Sequence, residues 1–383
     1  MYHVYNHWDK LKVCVVGRSY PPEFYNFIKN TRLRSLFERI AIETEEDFQG
    51  LIKKLHEFGV ETVRPNVPNI IPEKYITNNI RIPGPVSMNP RDQMIVIGNK
   101  FFLLPYEYNI LNSSGRMKLR EFDTDISQFS LDTKNLVDWW SPILEKLQSG
   151  GISIYDTTNE SDSYYNILKY IKSAGITRIG KDLYFGTESK IFANIMQSSK
   201  IFVKKYISKD YRCHFIDTQG HSDGCFTPVK PGLIVSAYDM AGYEKTFPDW
   251  EIVKVKHRNL VYEDWWPLKK KNKGKWWLPN SSNDNELVEF VETWLRDWVG
   301  QVSETNFDVN CLVVDQNNIL VTAYNKEVFD AYQKHGVTPH IVPLRHREFW
   351  DGGLSCLTAE LYREGEMQDW FPNRELHESI VIK

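Results

Sequence analysis

No apolar run in this chain of 383 residues approaches the roughly 18 residues that a membrane-spanning helix needs, so nothing in it predicts a bilayer span. Cysteine is scarce: Cys14, Cys213, Cys225, Cys311 and Cys356 are scattered and odd in number. They form no disulfide framework and suit a reducing compartment. An excess of basic charge is missing as well. The formal net charge is -3, which removes any global electrostatic reason to bind nucleic acid or an anionic membrane. The first residues, Met1 to Tyr5, show neither a basic-then-apolar signal pattern nor an Arg-rich transit pattern, so a cytoplasmic location is expected. There is no Gly-rich phosphate loop, and His335 and His340 are too isolated to propose a zinc site. No linker rich in Gly, Pro or Ser divides the chain. The expectation is therefore a single domain, residues 1–383, with no metal and no cofactor.

Aromatic residues, at 14%, are plentiful and point to a deeply lined interior or pocket. Several segments share one shape, in which an apolar run, a short polar turn and a second apolar run follow one another. Gln93–Ile97 turns at Gly98-Asn99-Lys100 into Phe101–Leu104, and Thr177–Ile179 turns at Gly180-Lys181-Asp182 into Leu183–Phe185. Cys311–Val314 turns at Asp315–Asn318 into Ile319–Thr322. Each predicts a β-hairpin with Gly, Asn or Asp supplying the turn. Leu11–Gly17 and Leu233–Ala237 predict further strands. Between them, Phe48, Leu51, Ile52, Leu55 and Phe58 recur at helical spacing and Gly59 closes the run; Val328–His335 ends likewise at Gly336. Hairpin, helix and strand in repetition predict an α/β architecture built from internal repeats. Trp265-Trp266 and Trp276-Trp277 bracket Lys269, Lys270, Lys271, Lys273 and Lys275. Aromatics interleaved with basic residues can grip a nucleic acid strand, but in an acidic chain a solvated loop pinned by its tryptophans is the plainer reading.

The chemistry concentrates in two places. Cys356 follows the turn Gly352-Gly353, where the backbone can bend sharply and approach a substrate closely. Far upstream, His221-Ser222-Asp223 offers a base and a carboxylate. A thiol is a strong nucleophile near neutral pH only when its pKa is lowered, and most cysteines in such a chain are small buried hydrophobes. Cys225, four residues beyond His221, is expected to be one of these.

Taken in order, these segments resemble the arginine:glycine amidinotransferases. Asn6–Leu11 with Val15-Val16-Gly17-Arg18, Pro90-Arg91-Asp92 with Ile95–Asn99, and Gly180–Tyr184 carry the likeness in the first half. Asp210-Tyr211-Arg212, His221-Ser222-Asp223, Val309-Asn310 with Asp315, and Gly352-Gly353 with Cys356 carry it in the second. The likeness runs from about Trp8 to Arg363 with a divergent middle. It implies the pentein fold, an α/β propeller of five ββαβ modules around a pseudo-fivefold axis with the active site in the central channel.

The resemblance also implies roles. Asp92 and Asp223 would clamp a planar guanidinium, whose forked N–H groups need carboxylate partners. Arg91 and Asn310, from the same motifs, would be further substrate-binding residues. Cys356 would attack the clamped carbon and His221 would move the protons, giving an amidino-cysteine and ping-pong transfer. The acid that orients the histidine matches best at Asp156, although the segment Glu160–Gly175 intervenes; a turn or capping role for Asp156 stays open. Asp182 reads as a hairpin-turn residue. Met240 stands where the family carries the arginine that holds the donor carboxylate, and a thioether cannot replace it. Arg258 is the first substitute to consider. The partners implied are a small-molecule guanidino donor and an amine acceptor, with ornithine and guanidinoacetate as products from arginine and glycine, and a homodimer compatible with the chain. An arginine deiminase-like hydrolase would use the same Cys and His. A non-catalytic binding module of the same fold, acting on ribosomal particles, would have no need of Cys356, His221, Asp92 and Asp223 together.

Overall fold

A computed structural model describes residues 1–67, 70–79, 81–104, 134–157, 168, 170–187, 192–207, 209–218, 221–237, 239–255, 284–295, 298–300, 305–374 and 381–382. Arg258 and the Trp265–Trp277 segment lie outside the described residues.

The strands are short, with two to seven residues each. In chain order they are β1 Lys10–Val16, β2 Glu61–Val63, β3 Met94–Ile97, β4 Lys100–Leu103, β5 Ser153–Asp156, β6 Ile176–Ile179, β7 Asp182–Thr187 and β8 Arg212–Asp217. There follow β9 Phe226–Lys230, β10 Leu233–Ser236, β11 Met240–Ala241, β12 Glu251–Lys254, β13 Leu312–Asp315, β14 Asn318–Val321, β15 Thr338–Ile341, β16 Thr358–Glu364 and β17 Val381–Ile382. The three expected hairpins form as β3–β4, β6–β7 and β13–β14, all antiparallel. Gly98 and Gly180 both turn at φ 58°, where a side chain would be strained.

Five sheets have three strands each, and all five repeat one plan. An antiparallel pair is followed by a helix, and the third strand returns parallel to the second of the pair. β4 takes β5 after helix Lys134–Ser149, and β7 takes β8 after Phe192–Tyr206. β10 takes β12 after the single turn Tyr243–Thr246, and β14 takes β15 after Lys326–Lys334. The remaining unit joins the two ends of the chain: β16 pairs antiparallel with β1, and β1 takes β2 after helix Thr31–Glu57. That helix begins earlier than its apolar spacing predicts because the Asn30 side chain caps it, accepting from Arg32 N and Leu33 N. It ends before Gly59, at φ 71°, as expected. Its inner face, with Phe37, Phe48, Leu51 and Leu55, is buried against Cys14 and Val16 of β1 and Leu320 of β14.

Asp182 closes the β6–β7 hairpin turn opposite Ile179, as expected, but it is not solvated. It opens β7 fully buried, held by Arg212 at 2.9 Å, by His214 at 2.7 Å and by Arg374. Met240 does not face a ligand. It is 0% exposed, pairs with Ile382 and packs among Trp8, Phe226, Tyr243 and Phe247. The matched position is part of the core, which is why an apolar side chain occupies it. Among the described residues no helix is long and apolar enough to cross a membrane.

Candidate active site

The antiparallel registers fix where the chemistry gathers. Met94 lies opposite Leu103, Ile176 opposite Phe185, Phe226 opposite Ser236, Leu312 opposite Leu320 and Thr358 opposite Val16. The segment entering the first strand of each unit therefore lies at the same end of its sheet as the loop leaving the second. Asp92, Asp223, Asn310 and Cys356 all lie in such entering segments, two or three residues before β3, β9, β13 and β16. The corresponding segment before β6 is the turn Ser173–Gly175. It packs against both Pro90–Asp92 and Ser222–Gly224, so the entering turns of different units converge.

Cys356 is 8% exposed, and its sulfur accepts from Asn310 Nδ2 at 3.0 Å and lies 3.6 Å from Asp223 Oδ2. Asn310 holds the same residue from both sides, since its Oδ1 accepts from Cys356 N at 3.1 Å. The chain around it is close-packed. A Cβ on Gly353 would fall 2.5 Å from the Asn310 carbonyl, so glycine is required there for contact rather than for φ. Asp92 lies beside His221, its Oδ1 3.5 Å from the ring Nδ1 with no hydrogen bond between the two atoms. Asp223 Oδ1 is buried with no hydrogen-bond partner among the described residues. A buried carboxylate oxygen in that state is costly unless a ligand completes it.

The electrostatics follow from the same geometry. Burial, and after it the charges of Asp223 and Asp92, push the Cys356 thiol well above its ordinary value. Burial raises the Asp223 carboxyl, against the opposing pull of Arg91 and the hydrogen bonds of Ser355, Cys356 and Asn310. Burial and then Lys172 lower the His221 ring, which is neutral at physiological pH. The sulfur is therefore a thiol facing two carboxylates. A cation seated between those carboxylates would reverse the field at the sulfur and favour the thiolate.

Three assignments change. Arg91 does not point toward a substrate. Its guanidinium is buried on Glu360 at 2.6 Å, its Nε lies 3.4 Å from the Ser355 carbonyl, and its N–H lies 3.4 Å from the Cys356 carbonyl. Arg91 thus braces the cysteine segment from behind. Asn310 is committed to Cys356 and to the Asp223 carbonyl at 3.4 Å, so it positions the thiol. Asp156 is exposed at the end of β5, beside Leu103, and among the described residues the carboxylate beside the His221 ring is that of Asp92. The segment next to the histidine's turn is Lys172–Gly175, which carries no carboxylate; its closeness to β6 was the missed signal. Cys225 is a buried thiol, as expected. Among the described residues no group of three His, Cys, Asp or Glu is placed to hold a metal ion.

No protein-family model matches the chain. Its fold is that of solved amidinotransferases. SxtG, an amidinotransferase from Microseira wollei in the saxitoxin biosynthetic pathway, aligns with a TM-score of 0.59 at 16% identity, covering 97% of this chain and 99% of that one. Inosamine-phosphate amidinotransferase StrB1 from Streptomyces griseus aligns at 0.58 and 17% identity with the same coverage. In sequence, the mitochondrial glycine amidinotransferase of Xenopus laevis is 23% identical over 96% of this chain and 84% of its own length. That of Gallus gallus is 22% identical with the same coverage. The chain is thus similar to amidinotransferases, in sequence and in fold, along almost its whole length.

Proposed function

We propose that the protein is an amidinotransferase that moves an amidino group from arginine, or a close guanidino donor, to a primary amine such as glycine. The five ββαβ units are read as blades of a propeller whose entering turns surround one channel. The observation that carries this reading is the pair of buried carboxylates, Asp92 and Asp223, one beside the histidine and one beside the thiol. A forked, planar cation fits between them and supplies the charge that the Cys356 sulfur lacks.

In the first half-reaction the thiol proton passes to His221 and the sulfur bonds to the guanidino carbon. The carbon–nitrogen bond to the donor's amine breaks, and His221 returns the proton to the departing nitrogen. An amidino-cysteine is left. In the second half-reaction the acceptor amine loses a proton to His221 and attacks. The sulfur–carbon bond breaks, and the thiol recovers its proton.

Incubation with arginine, with and without glycine, tests the reading. Ornithine formed in step with guanidinoacetate is the expected result, and citrulline formed without regard to glycine would establish a hydrolase instead. Replacing Asp92 or Asp223 by Asn removes the charge while keeping size. Each change is expected to lower kcat/KM by about 30- to 1000-fold, the equivalent of roughly 2–4 kcal/mol. A loss under about threefold at both positions would show that the guanidinium is held elsewhere.

A further inference from the structure

With Met240 in the core, the site needs another cation if the substrate carries an anionic end. The register of β1 and β16 supplies a candidate. Val15 lies opposite Ala359 and Val16 opposite Thr358. The chain goes on in the same sense, for Gly17 donates its N–H to the Leu357 carbonyl at 2.8 Å. The ladder stops there, because Leu357 N–H donates to the Gly353 carbonyl at 3.1 Å in a turn, but Arg18 directly follows Gly17 where that residue is bonded to the immediate neighbour of Cys356. The other side of this segment is equally fixed. Arg18 N–H donates to the Ser87 carbonyl at 2.8 Å, and a Cβ on Gly17 would fall 2.1 Å from the Met88 carbonyl. The strand end bearing Arg18 is therefore wedged between the segment leading to Asp92 and the segment holding Cys356.

Its charge is left over. Arg18 is half-buried, and its guanidinium has no hydrogen-bond or ion-pair partner among the described residues. The nearby carboxylate, Glu45, is taken by Arg64, which binds both its oxygens at 3.0 Å. Two guanidiniums thus share one carboxylate, and the Arg64 Nε is itself buried without a partner. An uncompensated, partly desolvated cation is unfavourable in the empty protein and attractive to an anion. The other loop at this end offers less, since Lys254 is spent on Asp239 at 2.6 Å.

The geometry points to Arg18 as the anchor for the carboxylate of a substrate whose reacting group sits at Cys356. Resting on the amidinotransferase reading, this makes Arg18 a specificity-determining residue, supplied by the opening strand rather than by the loop after β10. The carboxylate belongs to the donor or to the acceptor, and the assay separates the two.

Wild type, Arg18→Met and Arg18→Lys are compared with arginine against agmatine as donor, and with glycine against ethanolamine as acceptor. Calorimetric binding of all four compounds is measured alongside turnover. Arg18→Met is expected to weaken arginine by about 10- to 100-fold while leaving agmatine unchanged, with Arg18→Lys recovering part of the loss. The same pattern confined to glycine against ethanolamine assigns the anchor to the acceptor. Unmoved ratios for both pairs, or a parallel loss for agmatine and ethanolamine, overturn the assignment. If wild type forms neither ornithine nor citrulline, the functional reading fails, and the binding ratios still decide whether Arg18 holds a carboxylate.

Discussion

Cys356→Ala is expected to abolish amidino transfer, lowering kcat by roughly 10⁴-fold or more, because no other group in the site can form the covalent intermediate. The fold should survive, since only one sulfur is removed from a small buried side chain. Mass spectrometry of wild type mixed with arginine alone should show the amidino adduct on the peptide carrying Cys356, and on no peptide carrying Cys225. Residual turnover in the alanine variant above a thousandth of wild type, or an adduct on Cys225, would remove Cys356 from the mechanism. The raised thiol adds a pH signature. Alkylation of the free protein by a small neutral reagent should stay slow at pH 7 and keep rising beyond pH 9. Arginine turnover should not share that alkaline requirement, because the bound cation stabilises the thiolate.

The second large effect lies behind the site. Glu360 is 2% exposed and accepts from three buried guanidiniums, Arg91 at 2.6 Å, Arg178 at 3.1 Å and Arg363 at 3.2 Å. Glu360→Gln leaves those cations facing one another without a counter-charge. Removing one partner of a buried ionic network costs about 3–5 kcal/mol, enough to unfold a marginal protein. Urea denaturation at neutral pH should show the midpoint falling accordingly. Burial acts to raise the Glu360 carboxyl, but the three arginines outweigh it and hold the group well below its usual range. A carboxyl lowered in the folded state contributes stability above its unfolded pKa, and that stability fades as pH falls through the folded value. Wild type should therefore lose stability in acid more steeply than the glutamine variant. Equal midpoints for the two proteins at neutral pH would show that the arginines are neutralised by another route.

The hairpins were legible because their turns need Gly, Asn or Asp at defined places, and β3–β4, β6–β7 and β13–β14 carry those residues. β9 was not, because Pro228 interrupts its apolar pattern and cannot donate to a ladder. The third strands have three to six residues, too few for a period to stand out. The partner of β1 lies at the far end of the chain, where no local signal reaches. In the site, residue type pointed to Asp92, His221, Asp223 and Cys356, which converge. Direction is what residue type does not encode. Arg91 turns into a buried ionic cluster and Asn310 grips the cysteine, although both stand beside residues of the candidate site. Asp156 matched a short motif but lies exposed at the end of the third strand β5, while Met240 fitted an alignment position that the fold buries.

The pairing of β1 with β16 has a consequence for synthesis. The strand that steadies the cysteine segment is made before the other four units, and its partner after them. Between them the other four units can fold in succession as each hairpin, helix and returning strand emerges. β1 and its helix wait meanwhile with one edge of the sheet unpaired. Only when Glu364 has cleared the exit tunnel can β16 pair along β1 and the segment holding Cys356 be fixed in place. Products of termination before β16 thus carry an unpaired β1 edge, exposed to pairing with other chains.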